Sequence, residues 1–274
     1  MIRKRLVPFL ALCTAAAYLY PLLAVVINSF KKKAYISRAP FALPLGRMSA
    51  GLANYEKGIS LTGFPSALMT SVLITVLSTA LILLCTSMCA WYITRVRNKA
   101  THALYLLFIF SMVAPFQMVM FTLSKTASIL RLNTPWTLPF IYLGFGAGLA
   151  VFLFTGFIKA CPQAVEESAM IDGCSPPRIF FNIVFPIIRP AVISAGILEA
   201  LWIWNDYLLP YLVLDLRQYK TIPIAVQYLR GGYGSVDMGA MMAMLVLAIL
   251  PMAVVYLLCQ QYIVSGVLAG AVKG

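Results

Sequence analysis

Long apolar runs alternate with short polar, often basic, segments along this chain. Six runs approach or exceed the ~20 mostly apolar residues that a helix needs to cross a bilayer's hydrocarbon core. They span Leu6 to Phe30, Ala67 to Ile93, Ala103 to Ser124, Leu138 to Ile158, Pro190 to Leu212 and Gly239 to Val264. The pattern predicts an all-α membrane protein with six transmembrane helices, forming one domain over residues 1–274. Before the first run stand Arg3, Lys4 and Arg5, the layout of a secretory signal. A signal core is only about 7 to 15 residues long. This run continues unbroken from Tyr18 to Ile27, which predicts a retained anchor.

Composition strengthens that picture. Hydrophobic residues make up 62% of the 274 and charged residues 11%, whereas a soluble domain carries about a quarter charged. The net charge of +13 raises the question of nucleic acid. The 21 Lys and Arg are scattered between apolar blocks, as expected of groups flanking membrane spans. No nucleic-acid partner is expected; membrane lipid is. Of the six cysteines, none has metal-ligand spacing to a second Cys or His. The single His102 lies near Arg95, Arg97 and Lys99, poor company for a cation, so no metal site is expected. With both termini placed inside, the basic residues divide almost evenly between the two sides. Charge alone therefore does not orient the chain.

Hydropathy falls between Ile158 and Pro190, and residues 159–189 read as two short helices joined by a corner. Pro162 can open the first helix, where its missing N–H costs nothing. Glu166 and Glu167 suit the positive end of that helix dipole, and Gly173 suits its C-cap. Ser175 can cap the second helix, with Pro176 and Pro177 in its first turn. Phe180, Phe181 and Val184 then give it an apolar face.

The order Pro162, Glu167, Ser168, Ala169, Asp172, Gly173, Phe180, Pro186 resembles the EAA loop of binding-protein-dependent ABC importer permeases, with Ser168 in place of the usual first Ala. In that family the loop is the coupling helix, seated on a cytoplasmic ATPase. The resemblance implies coupling roles for Glu166, Glu167, Ala169, Asp172, Gly173 and Pro186. It also implies a cytoplasmic loop and cytoplasmic termini in a multi-pass protein of the bacterial inner membrane. Further likenesses are to the second permease of maltose-type carbohydrate importers. They are Tyr20-Pro21-Leu22 with Ser29-Phe30-Lys31, Asn54-Tyr55, and a final Gly270-Ala271-Val272-Lys273-Gly274. The family's tail, here residues 265–274, reaches the ATPases, which implies contacts from Val272, Lys273 and Gly274.

The fifth run holds Glu199 and Asp206 among Trp202, Trp204, Asn205 and Tyr207. A carboxylate at mid-bilayer costs about 2.5–3.5 kcal/mol on insertion scales, so each needs a partner or a wet cavity. Seven residues apart, the two would share one stripe of a continuous helix. Trp204-Asn205-Asp206 resembles the family's signature at this span. Glu199, Trp204, Asn205 and Asp206 are therefore candidates for the substrate path, with helix packing as the competing role. The Asp215–Asp237 segment would lie outside, where the family's binding protein docks. Gly144, Gly146 and Gly148 lie inside a span and predict close helix packing, not nucleotide binding.

No G-x-x-x-x-G-K-[ST] stretch is present. ATP and Mg would therefore be bound by a partner ATPase, and this chain would be non-catalytic with no cofactor of its own. The implied assembly has a second homologous permease, two ATPase subunits and an extracytoplasmic solute-binding protein delivering a carbohydrate, an oligosaccharide by the maltose-type likeness. An ion-coupled secondary transporter using Glu199 and Asp206 is the alternative.

Overall fold

The computed structural model describes the backbone of residues 2–229 and 237–271, and within these the side chains of 6–229 and 237–260. The described chain is almost wholly helical, with one isolated bridge, Lys31 to Ser49, and no strand among the described residues. Four helices are long and apolar enough to cross a membrane. These are α1 (Ile2–Ser29, apolar over Leu6–Ser29), α4 (Phe64–Arg95), α7 (Leu138–Lys159) and α14 (Met238–Ala271, apolar over Met238–Gln260). Two bent helix pairs raise the number of spans to as many as six. The all-α membrane class read from the sequence is the class observed.

Two of the expected straight spans are broken, for local reasons. The run from Ala103 to Ser124 is α5 (Lys99–Val113) and α6 (Phe116–Ile129), which meet at 102°. Pro115 offers no N–H to continue α5 and pushes Ala114 out of the helical region, to ψ 115°. The run from Pro190 to Leu212 also breaks. Its helix α11 (Arg189–Asn205) ends before Asp206, whose extended backbone (ψ 123°) leads to the short α12 (Leu208–Val213). Glu199 and Asp206 therefore do not share a helix stripe. On its other side α11 follows a helical segment over Pro176–Ile187 at 78°.

The chain divides into two compact units. The first comprises Met1–Leu68 and Ile222–Ala253, the second stretch opening with the short α13 (Ile222–Gln227). Its described part is tied together where α1 ends, with α2 (Lys33–Arg38), a loop, and α3 (Ala53–Thr62). Lys31 is fully buried, and its ammonium donates to Asn28 Oδ1 (3.0 Å) and to the carbonyls of Ala39 (2.8 Å) and Pro40 (3.1 Å). Burial lowers the Lys31 pKa, and those three acceptors satisfy all three N–H donors. Asn54 Nδ2 donates to the carbonyls of Ser29 (2.7 Å) and Lys31 (2.8 Å), and Tyr55 shares a 2.7 Å hydrogen bond with Ser29 Oγ. The Ser29-Phe30-Lys31 and Asn54-Tyr55 motifs, separate in sequence, thus form one polar knot. Gly239 completes it, because a Cβ there would lie 2.5 Å from Asn54 Oδ1. Nearby, Lys57 and Asp237 form an ion pair at 2.5 Å. Although burial opposes it, Lys57 and the Ala240 N–H hold the Asp237 carboxyl below its usual pKa.

The second unit comprises Met69–Thr221 and Val254–Gly274. At its centre is α7, whose Tyr142, Ala150, Val151, Phe154 and Ile158 are fully buried. The glycines explain how neighbours approach it so closely. A Cβ on Gly148 would meet Ser111 Oγ and Met112 Cγ at 2.7 Å and the Phe108 carbonyl at 2.8 Å, all on α5. A Cβ on Gly146 would meet Ile82 at 2.6 Å and Glu199 at 2.8 Å. Packing is therefore the role of Gly146 and Gly148, as expected, whereas Gly144 has open space around it.

Gly148→Ala should destabilise the detergent-solubilised protein by about 1–3 kcal/mol through overpacking against the α5 backbone. Gly144→Ala should be near neutral, and denaturant unfolding of the two variants side by side checks the contrast.

Candidate coupling loop and translocation path

The predicted pair of helices with a corner is present in residues 159–189. The first, α8 (Gln163–Ile171), starts after Pro162. It closes in a Schellman arrangement: Cys174 N–H donates to the Ala169 carbonyl and Gly173 N–H to that of Met170, both at 3.0 Å. Gly173 sits at φ +79°, a left-handed conformation that a side chain would strain. The second helical segment starts with α9 (Pro176–Ile179), continues through a π-turn over Phe180–Val184, and ends in α10 (Phe185–Ile187). Ser175 occupies the N-cap position, but its hydroxyl makes no capping bond. Ile179, Phe180 and Val184 pack with Ala169 into a small core, whereas Phe181 points out.

The two adjacent glutamates have opposite fates. Glu166 is 3% exposed, and its carboxylate is held from α4. Arg95 reaches it through Nε at 3.0 Å to both oxygens and through Nη2 at 2.6 Å, and Trp91 Nε1 donates to it at 2.8 Å. The second hand of the guanidinium also reaches the carbonyls of Ile158 and Cys161, at 3.3 and 3.4 Å. This is a forked, charge-assisted clamp with little water around it. Of the residues to which the resemblance gives coupling roles, Glu166 therefore has no free carboxylate to offer a partner, and Ala169 is turned inward. Glu167 and Asp172 are exposed, as are Gly173 and Pro186.

Sequence reasoning missed the most prominent outward residue. Ile171 is 87% exposed, with Val165 and Met170 also open. Ala164, Glu167, Ser168 and Ile171 fall at helical spacing on one outward stripe. Ser168 donates its hydroxyl to the Ala164 carbonyl at 2.9 Å, so it adds a compact, internally satisfied surface where the family pattern has Ala. The available signal was an Ile directly before Asp172-Gly173, an apolar residue at an otherwise polar corner.

The path candidates also separate. Glu199 is 2% exposed, lies against Gly146, and makes no hydrogen bond among the described residues. Trp204 is buried as well. Asn205 is exposed, with Nδ2 donating to the Leu201 carbonyl at 2.7 Å. Asp206 spends its carboxylate locally: Oδ1 accepts from Leu208 N–H at 2.9 Å, and Oδ2 accepts from the Tyr142 hydroxyl at 3.0 Å. Trp202 is exposed and meets Tyr142 edge-on, ring centroids 5.4 Å apart. Glu199 and Asp206 thus have different surroundings and form no shared ion site. The tail residues Val272, Lys273 and Gly274, and residues 230–236 of the Asp215–Asp237 segment, lie outside the described residues.

A family described as "Binding-protein-dependent transport system inner membrane component" matches residues 82–268, a stretch containing the whole corner and α11. The chain belongs to that family. Similar full-length proteins agree. The chain is 36% identical over 272 residues to "Probable starch degradation products transport system permease protein AmyC" of Thermoanaerobacterium thermosulfurigenes, covering 99% of this chain and 98% of that one. It is 34% identical over 259 residues to "Multiple sugar-binding transport system permease protein MsmG" of Streptococcus mutans, covering 93% and 92%. The fold matches a chain of a bacterial ABC transporter involved in the import of the acidic polysaccharide alginate, with TM-score 0.80, 18% identity, and coverage of 95% and 96%. The resemblance read from the corner is borne out, and the protein is a multi-pass permease subunit of a binding-protein-dependent transport system.

Removing one partner of the buried clamp should be costly, about 3–5 kcal/mol. Arg95→Ala and Glu166→Ala are each expected to lower the yield of folded protein. The double variant should cost less than the sum of the two, and a double-mutant cycle of unfolding midpoints measures that coupling.

Proposed function

We infer that this subunit forms half of the translocation path of an ATP-driven importer for an oligosaccharide, delivered by an extracytoplasmic binding protein. Its partners in this reading are a second homologous permease and two ATPase subunits, which bind the ATP and Mg. The substrate class is supported by the names of the relatives, which include starch degradation products, multiple sugars and, in a Thermococcus litoralis protein 27% identical, trehalose and maltose.

The observation that carries the coupling role is the two-sided construction of α8. One face is locked to α4 through Glu166, and the opposite face offers Glu167, Ser168 and the bare Ile171 side chain. An apolar residue so exposed on a polar corner suits burial in a groove on a partner. A groove on a cytoplasmic ATPase places α8, both termini and the C-terminal tail inside. Nucleotide-driven closure of the ATPases would then move α8, and the clamp would pass that movement to α4. Alternating access of the spans follows from such rigid-body motion. The chain itself performs no chemistry in this scheme. On α11, Asn205 and Trp202 are the residues open to a sugar, an amide for hydroxyls and a ring for the sugar face. Glu199 and Trp204 would support them from within.

Ile171→Asp should abolish co-purification of the ATPase while leaving the permease folded. Undiminished co-purification would remove α8 as the joint. For Asp206, the Asn variant retains an oxygen acceptor for Leu208 N–H and the Ala variant does not. Transport retained in Asp206→Asn but lost in Asp206→Ala, by uptake in whole cells, assigns Asp206 to shaping the break after α11. Loss in both assigns its charge to the path.

A further inference from the structure

The end of the second unit that carries α8 also holds a cavity of ≈ 530 Å³ that the transport role does not use. It is lined by the C-terminal end of α4, the α4–α5 loop, the start of α5 and the end of α7. Arg97, Lys99, His102 and Lys159 all line it, together with Thr94, Asn98, Thr101 and Thr155. No Asp or Glu is among its lining residues. The nearby carboxylate of Glu166 is already neutralised by Arg95. The side chains of Arg97, Lys99 and His102 make no ion pair or hydrogen bond among the described residues, and Lys159 has only the Tyr105 ring, 5.6 Å away. Three permanent positive charges, on the exposed Arg97, Lys99 and Lys159, thus surround one hollow with no carboxylate among them, and an anion seated there would gain from all three.

The backbone adds to this preference. Asn98 and Thr101 form a capping box that fixes the first turn of α5 at the cavity, Asn98 Oδ1 accepting from Thr101 N–H at 2.8 Å and Thr101 Oγ1 from Asn98 N–H at 3.1 Å. The positive end of the α5 dipole therefore lies at the same hollow, whose lining includes Asn98, Lys99 and Thr101. Above it, Leu106 and Phe110 follow His102 at intervals of four on one stripe of α5, and both are exposed and apolar. A basic hollow at a membrane helix end, with exposed apolar side chains farther along the same helix stripe, suits a phospholipid: headgroup in the hollow, acyl chain along the helix.

We propose that this cavity binds a phosphate-bearing anion, held by Arg97, Lys99, His102 and Lys159. A lipid headgroup and free phosphate offer the same chemistry, and the apolar stripe favours the lipid. The test uses the intact transporter complex in neutral detergent and native mass spectrometry. Phosphatidylglycerol, phosphatidylcholine and inorganic phosphate are each titrated against the parent, Arg97→Gln/Lys159→Gln, Lys99→Gln/His102→Gln, and a control pair outside the cavity, Lys125→Gln/Arg217→Gln. The expected result is retention of phosphatidylglycerol over phosphatidylcholine, falling roughly fivefold for each positive charge removed from the cavity and unchanged in the control. Phosphate retention with the same dependence identifies the free anion as occupant. If neither phosphatidylglycerol nor phosphate binding differs between cavity and control variants, the proposal is overturned. Size-exclusion profiles keep a misfolded variant from being read as a result, since two different cavity pairs must agree.

Discussion

The forked pairing of Arg95 with Glu166 is the constraint on which the second unit's working end depends. An isolated nine-residue helix such as α8 is too short to be stable in water by itself. It holds its place because a buried carboxylate is fixed from α4 and because Ala169 packs on Phe180 and Val184. Two anchors, one charged and one apolar, fix both the position and the rotation of the helix. That rotation decides which residues face outward. Removing the charge would leave a buried ion unpaired, so the clamp resists loosening in a way that apolar packing alone does not.

Stiffness at this end contrasts with deliberate interruption elsewhere. Pro115 turns the third apolar run through 102°, and Asp206 ends the fifth. In a bilayer, freed backbone groups need partners, and irregular segments persist only where protein or a wet cavity supplies them. Asp206 meets that need with its own carboxylate, which accepts the Leu208 N–H and the Tyr142 hydroxyl. Ser124 Oγ does the same for the Leu212 carbonyl after the break, at 2.8 Å. The break after α11 is therefore satisfied by the aspartate within it and by a serine from α6.

Most of the fold was legible because a bilayer reads hydropathy directly. The apolar runs located α1, α4, α7 and α14, and Pro162 and Gly173 marked the ends of α8. What failed was anything that needed direction around a helix axis. Glu166 and Glu167 are equivalent by type and sit side by side, yet one faces Arg95 and the other the exterior. Only the partner, 71 residues away, distinguishes them. The stripe drawn through Glu199 and Asp206 assumed an unbroken helix, and no apolar count reveals that an aspartate will cap the next turn instead. The Asn54 link to Ser29 and Lys31 was foreshadowed as two motifs, but their contact depends on Gly239, far along the chain.

Apart from buried groups such as Glu199, which has no partner among the described residues, the polar residues above fall into two kinds by what surrounds them. Lys31, Asn54, Arg95, Glu166 and Asp206 are surrounded by acceptors or donors that use them up, and each stabilises a bend or a helix end. Glu167, Arg97, Lys99 and Asn205 keep exposed side chains that the fold itself does not employ for tertiary contacts. A membrane protein with only 11% charged residues carries few that are idle. Structural need accounts for the first kind. The second kind lies on an α8 face, around a basic hollow and at the end of α11, the places where the proposed ATPase, anion and sugar would touch the chain.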